Sequence, residues 1–175
     1  MNEPTWRLPE VPTFELTSPD FTEGGELPTT ARSGILGAGG EDRSPELAWS
    51  GAPEGTKSFV LTTYDPDAPT GSGFWHWVVI DIPGSATSLP ANAGDPAAGL
   101  LPEGAKHMNM EAGFPRFVGA APPSEHGAHR YFFTLSALDV DHLEVEDGAS
   151  PAIVGFTLRD HILARAQLVG TTETP

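Results

Sequence analysis

The sequence predicts a mainly β fold of short strands joined by loops, and three observations carry that prediction. Its 175 residues contain 20 glycines and 18 prolines, too many turn-formers to leave room for long helices. Three runs are rich in β-branched and aromatic residues: Ser58 to Tyr64 (SFVLTTY), Phe74 to Ile82 (FWHWVVIDI) and Ala128 to Val140. A helix start signal stands before only one stretch, close to the C-terminus.

Taken in order, the segment from Phe14 to Thr30 alternates as FELTSPDF and then turns at Gly24-Gly25, which predicts two short strands in a hairpin. The glycines Gly34, Gly37, Gly39 and Gly40 that follow do not make a dinucleotide loop. They lead into Glu41, Asp42, Arg43, Ser44 and Pro45, a polar turn, with no helix to open on them. SFVLTTY is apolar enough on both faces to lie centrally, and FWHWVVIDI ends at Pro83-Gly84. Between Pro83 and Pro115, Ala, Gly, Pro and Asn predict a long surface loop with at most brief regular structure. Near the C-terminus Ser150 is a cap, Pro151 suits a first helical turn, and Leu158, Ile162, Ala166 and Val169 fall at helical spacing. An amphipathic helix ending near Gly170 is therefore expected to pack on a sheet.

Length and 38% hydrophobic content fit one folded domain over residues 1–175, with residues 1–11 as an irregular arm. Cysteine is absent, which removes disulfides and thiolate metal sites from consideration. The start, MNEPTWRLPEVP, has no basic segment followed by an apolar run, and no stretch reaches the roughly 18 apolar residues of a membrane span. A cytoplasmic protein without integral membrane contact is expected. The formal charge of −15, with only nine Lys and Arg, excludes a nucleic-acid partner, since phosphate backbones are bound by clustered cations.

Three short segments stand apart from core and turn sequence: Asp65-Pro66-Asp67-Ala68-Pro69, Phe74-Trp75-His76-Trp77 and Gly127-Ala128-His129-Arg130-Tyr131. Strand alternation puts His129 and Tyr131 on one face with Arg130 on the other, and sets His76 opposite Trp75 and Trp77. Asp65 and Asp67 lie at a strand end fixed by prolines. If these strand ends are neighbours, two imidazoles, a phenol and a carboxylate converge at one mouth. Such a group suits an oxyanion: imidazole N–H and tyrosine O–H donate, Asp65 fixes a histidine tautomer, and a backbone N–H near Gly119 adds a donor. Taken singly, the elements are ordinary, since a histidine between tryptophans is commonly a buried, hydrogen-bonded residue and DPD commonly a turn.

The run SPELAWSGAPEGTKSFVLTTYDPDAPTGSGFWHWVVIDIP resembles the first signature block of the phosphatidylethanolamine-binding proteins, also called Raf kinase inhibitor-like proteins, with DPDAP and WHW its specific elements. FVGAAPPSEHGAHRYFF resembles the second block and GFTLRDHILARAQLVGT the closing helix and strand, so the likeness spans about residues 12 to 171. The resemblance implies an antiparallel β-sandwich with a few peripheral helices and a small cavity for phosphate or phosphorylated head groups. By matching motif positions it implies Asp65, His76, His129 and Tyr131 as lining residues, with Asp67, Pro69, Trp75, Gly119 and Pro123 shaping the rim. It further implies no cofactor, a possible homodimer, and a possible protein partner through kinase or protease regulation. The chain departs from the family pattern at Asp81, where Asn is frequent, and at Asn109-Met110 and Arg116-Phe117.

Two other readings use the same residues. Asp65, His76, His126 and His129 are all potential metal ligands, but histidines three apart on a strand face opposite ways unless Gly127 bends the chain. A hydrolase needs a nucleophile, and there is no G-x-S-x-G, no H-E-x-x-H and no phosphate loop; Ser72 reads as a loop residue.

Overall fold

The computed structural model describes Thr5 and residues 8–174, so most of the arm expected over residues 1–11 lies outside the described residues. Strands β3 (Ser58–Asp65), β4 (Phe74–Pro83), β6 (Lys106–Met108), β7 (His129–Leu138) and β8 (Ile162–Thr172) form a five-stranded sheet in the order β6-β4-β3-β7-β8. Strands β1 (Glu15–Thr17), β2 (Leu47–Ser50) and β5 (Ser88–Leu89) form a three-stranded sheet in the order β1-β2-β5. Every pairing within both sheets is antiparallel. The helix α1 covers Pro151–Leu158.

One apolar cluster joins the two sheets, with Leu16, Leu47, Trp49 and Leu89 from the small sheet against Phe59, Leu61, Trp77, Val79, Phe133, Leu135 and Ala166 from the large one. Trp77 is wholly buried there, and truncating such a residue costs about 3–5 kcal/mol. A second cluster covers part of the large sheet's other face, where Val60, Val78, Ile80 and Leu138 meet Met108, Leu143, Val154 and Leu158. The central position of SFVLTTY is as expected: β3 lies between β4 and β7.

Three expectations need correction. The Phe14–Thr30 hairpin does not form. Only Glu15–Thr17 is a strand, and the Gly24-Gly25 turn docks on β8, through Gly24 N–H to Val169 O at 2.7 Å and Thr171 N–H to Gly25 O at 2.8 Å. The C-terminal helix is less than half as long as its spacing suggested. It stops at Leu158, and residues 162–172 form β8, whose alternate residues Ala164, Ala166, Leu168, Gly170 and Thr172 are buried. Ile162, Ala166 and Val169 satisfy a helical period by coincidence; pairing along the whole of β7 decides the matter. Nor is α1 polar on its outer side, where Ile153 and Phe156 are exposed.

The third correction is local and positions the site. In β4, Trp75 pairs with Tyr64 and Trp77 with Thr63, leaving His76 as an extra residue in a β-bulge. Simple alternation therefore fails. Trp77 enters the inter-sheet core, while Trp75 lies against Tyr64 with ring centroids 4.4 Å apart on the other side.

Candidate functional site

The site forms where β3 ends, β4 begins and β7 begins, three neighbouring ends of adjacent antiparallel strands. Asp65 closes β3 and serves two purposes. Its Oδ1 accepts the N–H groups of Asp67 at 2.8 Å and Ala68 at 3.0 Å, the turn expected of DPD, while Oδ2 meets Nδ1 of His129 at 2.7 Å. Turn and functional side chain are thus one residue. Asp67 clips the same loop to β7: it accepts from the Arg130 backbone N–H at 2.9 Å, from Nε at 2.9 Å and from Nη2 at 2.8 Å. The hydrogen bond from Arg130 holds the Asp67 carboxyl below its ordinary pKa.

His76, only 4% exposed, meets the carbonyl of Val118 through Nδ1 at 2.8 Å. Only a protonated Nδ1 can donate there, which makes Nε2 the acceptor nitrogen of the neutral ring. Burial pushes the His76 pKa down, and so favours that neutral form. The Tyr131 ring stands edge-on to His76 with centroids 5.2 Å apart; burial, then the charge of Asp65, push its phenol well up. His126 adds a member that strand alternation argued against. Gly127, at φ 82°, turns the chain so that Nδ1 of His126 lies 2.7 Å from Nε2 of His129. The result is a line of hydrogen bonds from His126 through His129 to Asp65.

A cavity of about 150 Å³ opens on this group, and Asp65, His76, His129, Pro69 and Pro123 line it. Leu36, Ala68, Thr70, Phe74 and Ala121 complete its wall. Four residues expected at the pocket lie elsewhere. Tyr131 backs His76 from the core, Asp67 is occupied by Arg130, and Trp75 lines a different cavity across the sheet. The Gly119 N–H donates to Asp42 at 2.8 Å rather than to the cavity. Asp42 also accepts from Ser33 Oγ, Gly34 N and Ile35 N, so this buried carboxylate fastens the loop that carries Leu36. Nothing in the local sequence distinguishes Asp42 from its acidic neighbours; only its convergence with Gly119, 77 residues later, reveals it.

Among the described residues no group of three or more His, Cys, Asp or Glu is arranged to hold a metal ion. Gly127 does bend the chain as a His126–His129 metal pair would require, but those two imidazoles bond to each other. No helix among the described residues is long and apolar enough to cross a membrane.

Comparison with known proteins agrees with the motif blocks. The family model for phosphatidylethanolamine-binding protein matches residues 17–173. Escherichia coli YbhB is 45% identical over 89% of this chain and 97% of its own, and E. coli YbcL is 42% identical over 91% of this chain and 87% of its own. The crystal structure of E. coli YbcL, described as a member of the mammalian PEBP family, superposes with a TM-score of 0.89 at 41% identity, covering 93% of this chain and 99% of that one. A match of that extent, in sequence and in fold, means that the chain belongs to the phosphatidylethanolamine-binding protein family.

Proposed function

We propose that this protein binds a compact phosphate-type anion, free or as a phosphorylated head group, in the cavity between His76 and His129, and carries out no chemistry on it. The observation that carries the reading is the shared cavity itself: a histidine oriented by Asp65 and His126 beside a second, buried histidine, in a space of about 150 Å³. Hydrolysis would need a nucleophile. Among the described residues the only hydroxyl side chain on the cavity wall is Thr70, and its Oγ1 donates to the Gly73 carbonyl.

The tautomers refine what is bound. Neutral His76 presents Nε2 as an acceptor, so it takes a protonated phosphate oxygen, or gains a proton as the anion enters. For a phosphomonoester, whose dianion has no O–H, either route couples binding to one proton; inorganic phosphate already carries an O–H, so only protonation of His76 does so there. Affinity then rises as pH falls, by at most about tenfold per pH unit. The chain's net charge of −15 opposes any anion from a distance, and salt screens that repulsion beyond about 8–10 Å, so binding is stronger in 0.15 M than in 0.01 M NaCl.

The test is an NMR titration with inorganic phosphate and phosphoethanolamine at pH 6.0 and 8.0, following the imidazole resonances. The expected result is a saturable shift of His76 and His129, tighter at pH 6.0 and lost in His129→Ala. Unmoved imidazoles, or equal affinity for phosphoethanolamine at both pH values, would refute the proposal.

A further inference from the structure

A second cavity, of about 210 Å³, lies across the five-stranded sheet from the histidines. Register builds its floor. Thr62 pairs with Thr134 and Ser136 pairs with Arg165, which sets three hydroxyl residues and a guanidinium side by side on the sheet face opposite the inter-sheet core. Trp75 joins them because the bulge at His76 reverses its direction, and α1 forms a wall through Gly155 and Leu158.

Arg165 is out of place as a structural residue. Its Nη2 is buried and has no hydrogen-bond partner among the described residues. Among the described residues no Asp or Glu lines the cavity, in a chain with 24 of them against nine Lys and Arg. Elsewhere Arg130 has Asp67, Arg32 has Glu26 and Lys106 has Asp147. A buried guanidinium edge without an acceptor is destabilising, and burial lowers the Arg165 pKa, with no acid among the described residues to offset it. Thr134 Oγ1 accepts from Gln167 Nε2 at 3.1 Å, which leaves its own proton available to donate.

From the unpartnered guanidinium, the adjacent hydroxyls and the aromatic wall, we infer that this cavity is a second binding site, for a small monocarboxylate with an apolar or aromatic tail. The carboxylate takes the planar fork of Arg165 and the hydroxyl protons, and the tail lies along Trp75 and Leu158. A single cation suits one negative charge. Phosphate, with more charge and no tail, suits it less.

Thermal shift and indole-detected NMR test the assignment, with phenylacetate, butyrate and inorganic phosphate as probes. Phenylacetate is expected to raise Tm and move the Trp75 indole N–H saturably, butyrate to do so more weakly, and phosphate to leave Trp75 unmoved. Arg165→Met is expected to abolish both responses and, by removing an unpaired cation, to raise the ligand-free Tm by about 2–4 °C. Arg165→Lys keeps the charge without the fork and is expected to lose at least tenfold in phenylacetate affinity, which covers the case of a misfolded methionine variant. His76→Ala leaves the phenylacetate response intact, which separates this site from the histidine cavity. Overturning results are a Trp75 indole unmoved by either carboxylate, or a phenylacetate response that survives in Arg165→Met or matches wild type in Arg165→Lys.

Discussion

Replacing Asp42 by Asn tests how the loop over the histidine cavity is held. Four donors converge on this carboxylate: Ser33 Oγ at 2.7 Å, Gly34 N at 2.9 Å, Ile35 N at 2.8 Å and Gly119 N at 2.8 Å. Two go to each oxygen, so an amide in either orientation turns its NH₂ toward two of them. Each donor left facing another donor costs about 1–3 kcal/mol; the Ser33 hydroxyl can turn to accept from the amide, so the better orientation leaves the Gly119 N–H facing a donor and Asp42→Asn costs about 2 kcal/mol. That is a large share of the roughly 5–15 kcal/mol by which a domain is stable. Burial works to raise the Asp42 pKa, but the hydrogen bonds from Gly119, Ser33, Ile35 and Gly34 outweigh it and hold the carboxyl below its ordinary value. A lowered folded pKa stabilises above the unfolded value, about 3.9, and that contribution fades as pH falls through the folded value. The gap between wild type and Asp42→Asn is therefore full at pH 7 and narrows below pH 4. Urea denaturation at pH 7 and pH 3 measures both quantities. Phosphate affinity falls as well, because Leu36 on the cavity wall belongs to the loop Asp42 fastens. A loss under about 1 kcal/mol at pH 7, or a gap that widens in acid, would refute the reasoning.

Three further outcomes are expected. In a ¹H–¹⁵N titration, His142 titrates above the ordinary imidazole range because Asp81 accepts from its Nδ1 at 2.6 Å, while burial holds His107 below that range; Asp81→Asn returns His142 to normal and leaves His107 alone. The raised folded pKa of His142 means that its pairing stabilises below about pH 6.5 and is lost as pH rises through the folded value. Arg130→Gln breaks the two-pronged contact with Asp67, and since both side chains are about a third exposed, denaturation shows a loss of only about 1 kcal/mol. Gly127→Ala forces a side chain into a left-handed backbone with open space around it; it costs about 1 kcal/mol and removes the His126 contribution to the phosphate-dependent shift of His129.

The long strands were legible because β3 and β4 are runs of apolar β-formers bounded by proline and glycine, and β7 is one opened by Gly127, signals that act locally. β8 was not. Residues 162–169 meet a helical period as well as an alternating one, and only a partner strand, β7, settles the choice. Asp81 shows a similar limit: it sits at φ 58° on β4, a left-handed position that Asp and Asn tolerate better than the β-formers around it, and nothing in the run FWHWVVIDI announces it. Of the candidate site, Asp65, His76 and His129 could be named because their motifs place them at strand ends. Asp42, Leu36 and Ala121 could not, since each reaches the cavity region through contacts made far along the chain.

The bulge at His76 links these observations to the two proposed sites. Under strict alternation His76 would leave the core face whenever Trp75 and Trp77 entered it, and one residue of the WHW motif would always be misdirected. Inserting one residue between the Tyr64–Trp75 and Thr63–Trp77 pairs releases that constraint. Trp77 fills the core, His76 stands beside Tyr131 at the mouth of one cavity, and Trp75 becomes a wall of the other. Deleting the extra residue would shift every later side chain of β4 to the wrong face, exchanging Val79 of the inter-sheet core with Val78 and Ile80 of the outer cluster. The bulge is therefore required by the packing of both faces as well as by the histidine pocket, and its loss is expected to unfold the protein rather than merely silence a site.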